Sequence, residues 1–322
     1  MLPKHLLPIE EDKEPIEFAK KQLSIFWQPD EINVGKDIQD ILTNFTEAER
    51  HAVISTLKLF SIYETHAGDE FWGRRFKEIF DGAEYHRMAS VFSMFELAVH
   101  GPFYSELNKL LNINTPDFYL SYQDNPILAQ RVSHIGEMID NKDDLVALGA
   151  FSMVEGAVLY SNFAFLLHFQ SQGKNKLMNV NRGILFSVKD ENIHSVAGAW
   201  CFKRLAQKRG LTAEQLSDVE EKIRQVARTI VEHERQIIEI MFEKGKIEGI
   251  TAHQLDNFVQ VRVNRCLAEL GFKKEYEVTY DPISPWFNKA INDYSFNDFF
   301  SGLGNQYNRN WSEFDFKWSI EE

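Results

Sequence analysis

Phe95-Glu96-Leu97-Ala98-Val99-His100-Gly101-Pro102-Phe103-Tyr104 sets an acid, an imidazole and a phenol one turn apart in an otherwise apolar run. At four-residue spacing Glu96, His100 and Tyr104 share one side of an α-helix. Each is polar where Met94, Phe95, Leu97 and Val99 predict core, and buried polar groups need partners. Pro102 has no N–H to offer the carbonyl of Ala98, so the helix is expected to distort here, with a π-bulge as the natural form. A helix facing a buried metal reads this way.

Four other residues supply the partners: Glu64, Glu155, Glu191 and His194. In an antiparallel helical hairpin, residues equidistant from the turn lie level. The point midway between Glu155 and Glu191 is Gly173, in the polar turn Gln170-Ser171-Gln172-Gly173, and midway between Glu64 and Glu96 is Phe80, beside Asp81-Gly82. Each pair would stand roughly 25 Å from its turn at 1.5 Å per residue. Glu191-x-x-His194 is a ligand pair on one helix face, and Glu96 to His100 repeats it with one extra residue. A Glu from each of two helices and a Glu–His pair from each of two others is the donor set of ferritin-like di-metal bundles. Carboxylates bridge and neutralise paired cations while neutral imidazoles complete each site, a set suited to iron or manganese. Glu64 is preferred to Asp69 and Glu70, which have Arg74 and Arg75 within reach of helical ion pairs. Asp190 is expected to accept from a metal-bound imidazole. His5, His51, His66, His86, His134, His168 and His253 are read as structural or exposed.

The rest of the chain is helical in pattern. A capping box at Thr46–Glu49 opens a helix running through Glu64 to about residue 79. Further helices are expected over about 84–111, 126–139, 144–169 and 174–208, then from the box at Thr212–Gln215 to about 244, and from the box at Thr251–Gln254 onward. Strand signals are nearly absent, which makes the fold all-α. Residues 1–45 read as an irregular arm carrying Trp27, 46–280 as the di-metal bundle, and 281–322 as an irregular segment with a flexible tail. The tail alternates aromatic groups with acids from Trp311 to Glu322, the texture of a partner-docking peptide.

Composition excludes several functions. With 322 residues, 44% hydrophobic and 26% charged, the chain is long enough for a true core. A formal charge of −13 without basic clusters argues against nucleic-acid binding. No window reaches the ~20 uncharged apolar residues of a membrane span. Two cysteines, Cys201 and Cys266, form no disulfide framework, and a reducing cytoplasm is the simple expectation.

Together these residues resemble the radical-generating small subunit of class I ribonucleotide reductase, over most of the chain. Glu96-x-x-x-His100-x-x-x-Tyr104 resembles the family's ligand and radical-tyrosine helix. Glu155-Gly156-Ala157-Val158-Leu159-Tyr160 resembles its third-carboxylate helix, Asp190-Glu191-Asn192-Ile193-His194 its final ligand motif, and Phe26-Trp27-Gln28-Pro29-Asp30-Glu31-Ile32 its N-terminal tryptophan segment. The resemblance implies two metal ions per chain, iron first and manganese as the alternative, that produce a tyrosyl radical on Tyr104. It implies a relay beginning at Trp27, His100 and Asp190, with Tyr307 a candidate relay residue in the tail. It further implies a homodimer whose tail docks on the large subunit, where ribonucleotides become deoxyribonucleotides, and an activating flavoprotein if the metal is manganese. Two positions depart from the family's pattern: the four-residue Glu96–His100 spacing, where three is usual, and Leu159, where phenylalanine is frequent.

Two other readings compete. A stand-alone ferritin-like oxidase or desaturase would use the same metals but leave Trp27 and the tail without a purpose. A helical interaction protein would have to keep four acids buried with no basic residue at matching spacing, which is costly.

Overall fold

The computed structural model describes residues 3–7 and 9–300. The arm carries α1 (Glu14–Ser24). Helix α2 (Glu47–Thr65) runs on through a π-helical stretch, His66–Arg75, into α3 (Phe76–Ile79). Helix α4 (Ala83–Phe95) passes through a π-helical turn, Glu96–His100, into α5 (Gly101–Leu110). Then follow α6 (Pro116–Leu120), α7 (Pro126–Ile139), α8 (Asp144–Ala157) and α9 (Tyr160–Leu167). The long α10 (Met178–Arg209), α11 (Ala213–Met241), α12 (Ala252–Leu270) and α13 (Ile283–Phe300) complete the order. Among the described residues there is no strand, only an isolated bridge between Ile247 and Ile250.

Helix α8 lies along α10 and is flanked by α7, α11 and α12, while α2 packs on α5 and α11, and α4 on α1. One continuous apolar core joins them. Contrary to the sequence expectation, the span Asp144–Leu167 is long and apolar enough to cross a membrane, yet its most apolar 18-residue window is wholly buried inside this bundle. Local chemistry starts the helices where the sequence says: Thr46, Thr212 and Thr251 each complete a capping box.

The π turn at 96–100 has the cause anticipated for it. The Gly101 N–H bonds back to the Glu96 carbonyl, five residues earlier, and Pro102 has none to give Ala98. Gly68 lets the two π-helical stretches approach, since a Cβ there would stand 2.6 Å from Leu97 Cγ and 3.0 Å from Glu96 Cβ. That contact brings Glu64 within reach of Glu96.

Four expectations need correction. The arm is not irregular throughout: Pro15 starts α1, whose buried face is Pro15, Ala19 and Gln22. The helix expected over 144–169 breaks after Ala157, where Leu159 takes φ 70 and the Val158 N–H reaches back to Met153. Helix α10 begins at Met178 rather than 174, because Asn175 and Leu177 take φ 52 and 54. Beyond residue 281 the chain re-enters helix: the Asp281 carboxylate accepts the N–H groups of Ile283 and Ser284, and Phe287 is buried. The docking tail, with Tyr307, lies outside the described residues.

Candidate metal centre

Glu64 comes from the last turn of α2, Glu96 and His100 from the π turn, Glu155 from the end of α8, and Glu191 and His194 from the middle of α10. All six are at most 5% exposed, whereas Asp69 and Glu70 lie at the surface. Their donor atoms form two overlapping groups, Glu64–Glu96–His100–Glu191 and Glu96–Glu155–Glu191–His194, each with all atoms within 4.8 Å of one another. His100 Nδ1 lies 2.9 Å from Glu96, 3.3 Å from Glu64 and 3.3 Å from Glu191. His194 Nδ1 lies 2.7 Å from Glu96, 3.5 Å from Glu191 and 3.9 Å from Glu155.

Glu64 Oε1, Glu96 Oε1, Glu191 Oε2 and His194 Nδ1 are nevertheless buried without an aligned hydrogen bond. Lone pairs that converge on one space without bonding each other are what shared cations require. The donor set therefore fits a pair of divalent metal ions, held by overlapping ligand groups. A cavity of about 20 Å³, lined by Glu64, Glu96, Glu155, Glu191, Tyr63, Val158 and others, adjoins them.

Electrostatics without metal points the same way. Burial and repulsion from Glu96 push Glu64 up, and burial with repulsion from Glu191 does the same to Glu155. Against burial, His100 and His194 hold Glu96 down, and the same two imidazoles lower Glu191. Burial would lower both histidines, but the carboxylates outweigh it: His100 rises well above its usual value and His194 to about 9. Four acids thus face one another and two imidazoles, an arrangement that a pair of divalent cations would neutralise. Among the described residues no buried arginine does that work. Arg131 pairs with Glu234, and Arg262 bonds the Gly156 carbonyl and Asn192.

On its far side His100 Nε2 meets Asp190 Oδ2 at 2.9 Å, and the same oxygen accepts the Trp27 indole N–H at 2.9 Å. Trp27 is buried against Phe103 and Phe186. Tyr104 is fully buried, stacked on Phe60 at 4.4 Å, with its hydroxyl 3.4 Å from Ser187 Oγ. Burial and the Glu64 charge raise this phenol well above its usual range, so it is neutral.

Three neighbours escaped the sequence reading. Gln22 Nε2 donates to Asp190 Oδ1 at 2.7 Å, the Trp72 indole donates to Glu155 Oε1 at 2.6 Å, and Ser187 faces Tyr104. A glutamine on an arm thought irregular gives no signal, and a tryptophan among phenylalanines reads as core. Ser187, one turn before Glu191 on α10, was the nearest to being legible.

The sequence profile of the family described as "Ribonucleotide reductase, small chain" matches residues 4–284. A probable ribonucleoside-diphosphate reductase small subunit of Invertebrate iridescent virus 3 is 25% identical over 306 residues, covering 87% of this chain and 78% of its own. The ribonucleoside-diphosphate reductase subunit beta of Bacillus subtilis (strain 168) is 25% identical over 308 residues, covering 91% of this chain and 88% of its own. In fold, the chain is similar to the X-ray structure of dimanganese(II)-NrdF of Streptococcus sanguinis, with a TM-score of 0.77 at 20% identity over 88% of this chain and 97% of that one. The chain belongs to the ribonucleotide reductase small-chain family and is a small subunit of that enzyme.

Proposed function

We propose that Glu64, Glu96, His100, Glu155, Glu191 and His194 ligate two metal ions, that Tyr104 carries the radical, and that Trp27 and Asp190 relay it toward the large subunit. The observation that carries this reading is the double engagement of His100: Nδ1 faces three ligand carboxylates while Nε2 meets Asp190, which holds the Trp27 indole. An unbroken run of contacts thus leads from the ligand set to Trp27. Iron or manganese bound there and oxidised by O2, or by an oxidant derived from it, would supply the one-electron oxidising power that side chains lack. Tyr104, a fully buried phenol stacked on Phe60, would give its electron to that oxidised centre and its hydroxyl proton toward the Glu64 side of the donor set, and its burial keeps bulk solvent from the radical that remains. An electron returning from the partner passes by way of Trp27, whose indole proton shifts to Asp190 Oδ2 and back.

Iron is the first expectation and manganese the alternative, since carboxylate and imidazole suit both, and manganese would call for an activating flavoprotein. The body over 46–280 binds the metals, the arm over 1–45 supplies Gln22 and Trp27, and the segment over 281–322 ends in the docking tail. A homodimer working with the large subunit in the cytoplasm is the corresponding assembly, and two free, buried cysteines suit a reducing compartment. Nucleotide reduction with the matching large subunit tests this account. Trp27→Phe should lose about 10²-fold or more in turnover, the scale of a lost proton-transfer partner, while keeping its tyrosyl signal. Undiminished turnover would remove Trp27 from the path.

A further inference from the structure

Helix α12 sends one side chain into the break between α8 and α9. Arg262 is 4% exposed, and among the described residues no carboxylate lies within ion-pair distance of its guanidinium. Its partners are neutral. Nε donates to the Gly156 carbonyl at 2.9 Å, Nη2 donates to Asn192 Oδ1 at 3.1 Å, and the guanidinium carbon stands 3.7 Å over the Tyr160 ring. The Tyr160 hydroxyl donates to the same Asn192 oxygen at 3.1 Å, and the Asn192 amide donates to the Val188 carbonyl at 2.9 Å.

A buried cation without a counter-charge is costly, so apolar packing would serve this place better if filling space were its task. The identity of the partners suggests another. Gly156 follows Glu155, Asn192 follows Glu191, and Tyr160 is the first residue of α9 beyond the break. The carbonyls of the last turn of α8 have no helical partner, and Leu159 holds a left-handed conformation, so this turn needs an external hold. Gly156 is also wedged: a Cβ there would strike Cys266 Sγ and Ser195 Oγ. One arginine from α12 thereby bridges α8 and α10 beside Glu155 and Glu191.

We propose that Arg262 is a positioning residue for the metal pair, fixing the Glu155 carboxylate through the backbone that follows it and the Glu191 carboxylate through Asn192. This rests on the reading that the two donor groups hold metal ions. The group Glu96–Glu155–Glu191–His194 contains both positioned acids and depends on Arg262 most; the group with Glu64 and His100 contains only Glu191.

The test is Mn(II) titration of the metal-free, full-length chain, with free Mn(II) read from its electron paramagnetic resonance signal. In the parent two ions bind. Arg262→Met and Asn192→Ala should each weaken one of the two by about tenfold or more, the scale seen when support behind a ligand is lost. Arg262→Lys, which can reach the Gly156 carbonyl alone, should recover part of that loss. A merely structural role lowers the unfolding midpoint and leaves both affinities alone, so unchanged affinities in the folded variants would overturn the proposal. If Arg262→Met does not fold, Asn192→Ala decides by itself: weakened binding supports the proposal and parental binding overturns it. A parent that binds no Mn(II) under conditions where it is folded would instead sink the metal reading on which the proposal stands.

Discussion

Trp27 and Asp190, 163 positions apart, are joined by a 2.9 Å hydrogen bond from indole to carboxylate. The other carboxylate oxygen is held by Gln22 at 2.7 Å, so the geometry of the pair depends on both residues of the arm. Gln22→Leu leaves that buried oxygen without its donor, at a cost of about 1–3 kcal/mol. The urea midpoint should fall accordingly, and nucleotide reduction should fall while the tyrosyl signal persists. Parental turnover in this variant would show that Trp27 and Asp190 hold their alignment unaided.

Trp72 holds Glu155 in the same manner. Its indole donates to Glu155 Oε1 at 2.6 Å from the π-helical stretch after α2. Trp72→Phe keeps an aromatic ring and removes the donor. Metal affinity should drop about 10- to 100-fold, as for other groups that orient ligands, measured by Mn(II) titration. Equal binding by parent and variant would make Trp72 a packing residue only.

The arm is anchored by Asp12, which gives a pH dependence. Its carboxylate accepts from the Tyr85 hydroxyl at 2.5 Å, pairs with Arg204 at 2.7 Å and meets Lys208 at 2.8 Å. Burial opposes ionisation, but these three partners hold the group down to about 2. An unfolded aspartate titrates near ~3.9, so the anchor's contribution is complete above about pH 4 and is lost as pH falls toward 2. Hydrogen exchange over residues 9–27 should therefore be slow at pH 7, and Asp12→Asn should speed it there. Slow exchange in Asp12→Asn at pH 7 would contradict the anchor.

Arg131 and Glu234, both 1% exposed, form an ion pair, with the Ser161 hydroxyl donating to the second Glu234 oxygen at 2.5 Å. Arg131→Leu strands a buried carboxylate and should cost about 3–5 kcal/mol in urea denaturation. Removing both charges, in Arg131→Leu with Glu234→Leu, should restore most of that loss. A double variant less stable than the single one would mean the charges are not what the site requires.

The fold was legible where the signal is local. The three threonine capping boxes, the helix over 126–139 and the distortion forced by Pro102 each follow from residues within one turn. The convergence of Glu64, Glu96, His100, Glu155, Glu191 and His194 was legible for a different reason: acids inside apolar runs must meet, and hairpin arithmetic says at what level. The break after Ala157 was not, because Ala157-Val158-Leu159 contains no glycine or proline and its left-handed turn is held by a side chain from α12. Helix α1 was hidden by a short, lysine-rich sequence whose buried face is only Pro15, Ala19 and Gln22. Gln22, Trp72 and Arg262 act through contacts 168, 83 and 106 positions away, which no local pattern encodes.

The most direct test of the central claim is electron paramagnetic resonance of metal-free protein loaded with ferrous iron and exposed to oxygen, with a metal count, on the parent and on Tyr104→Phe. The account predicts about two metal ions per chain in both, and a tyrosyl signal in the parent that is absent from the variant. A tyrosyl signal that survives in Tyr104→Phe, or a folded parent that binds no metal, would contradict it.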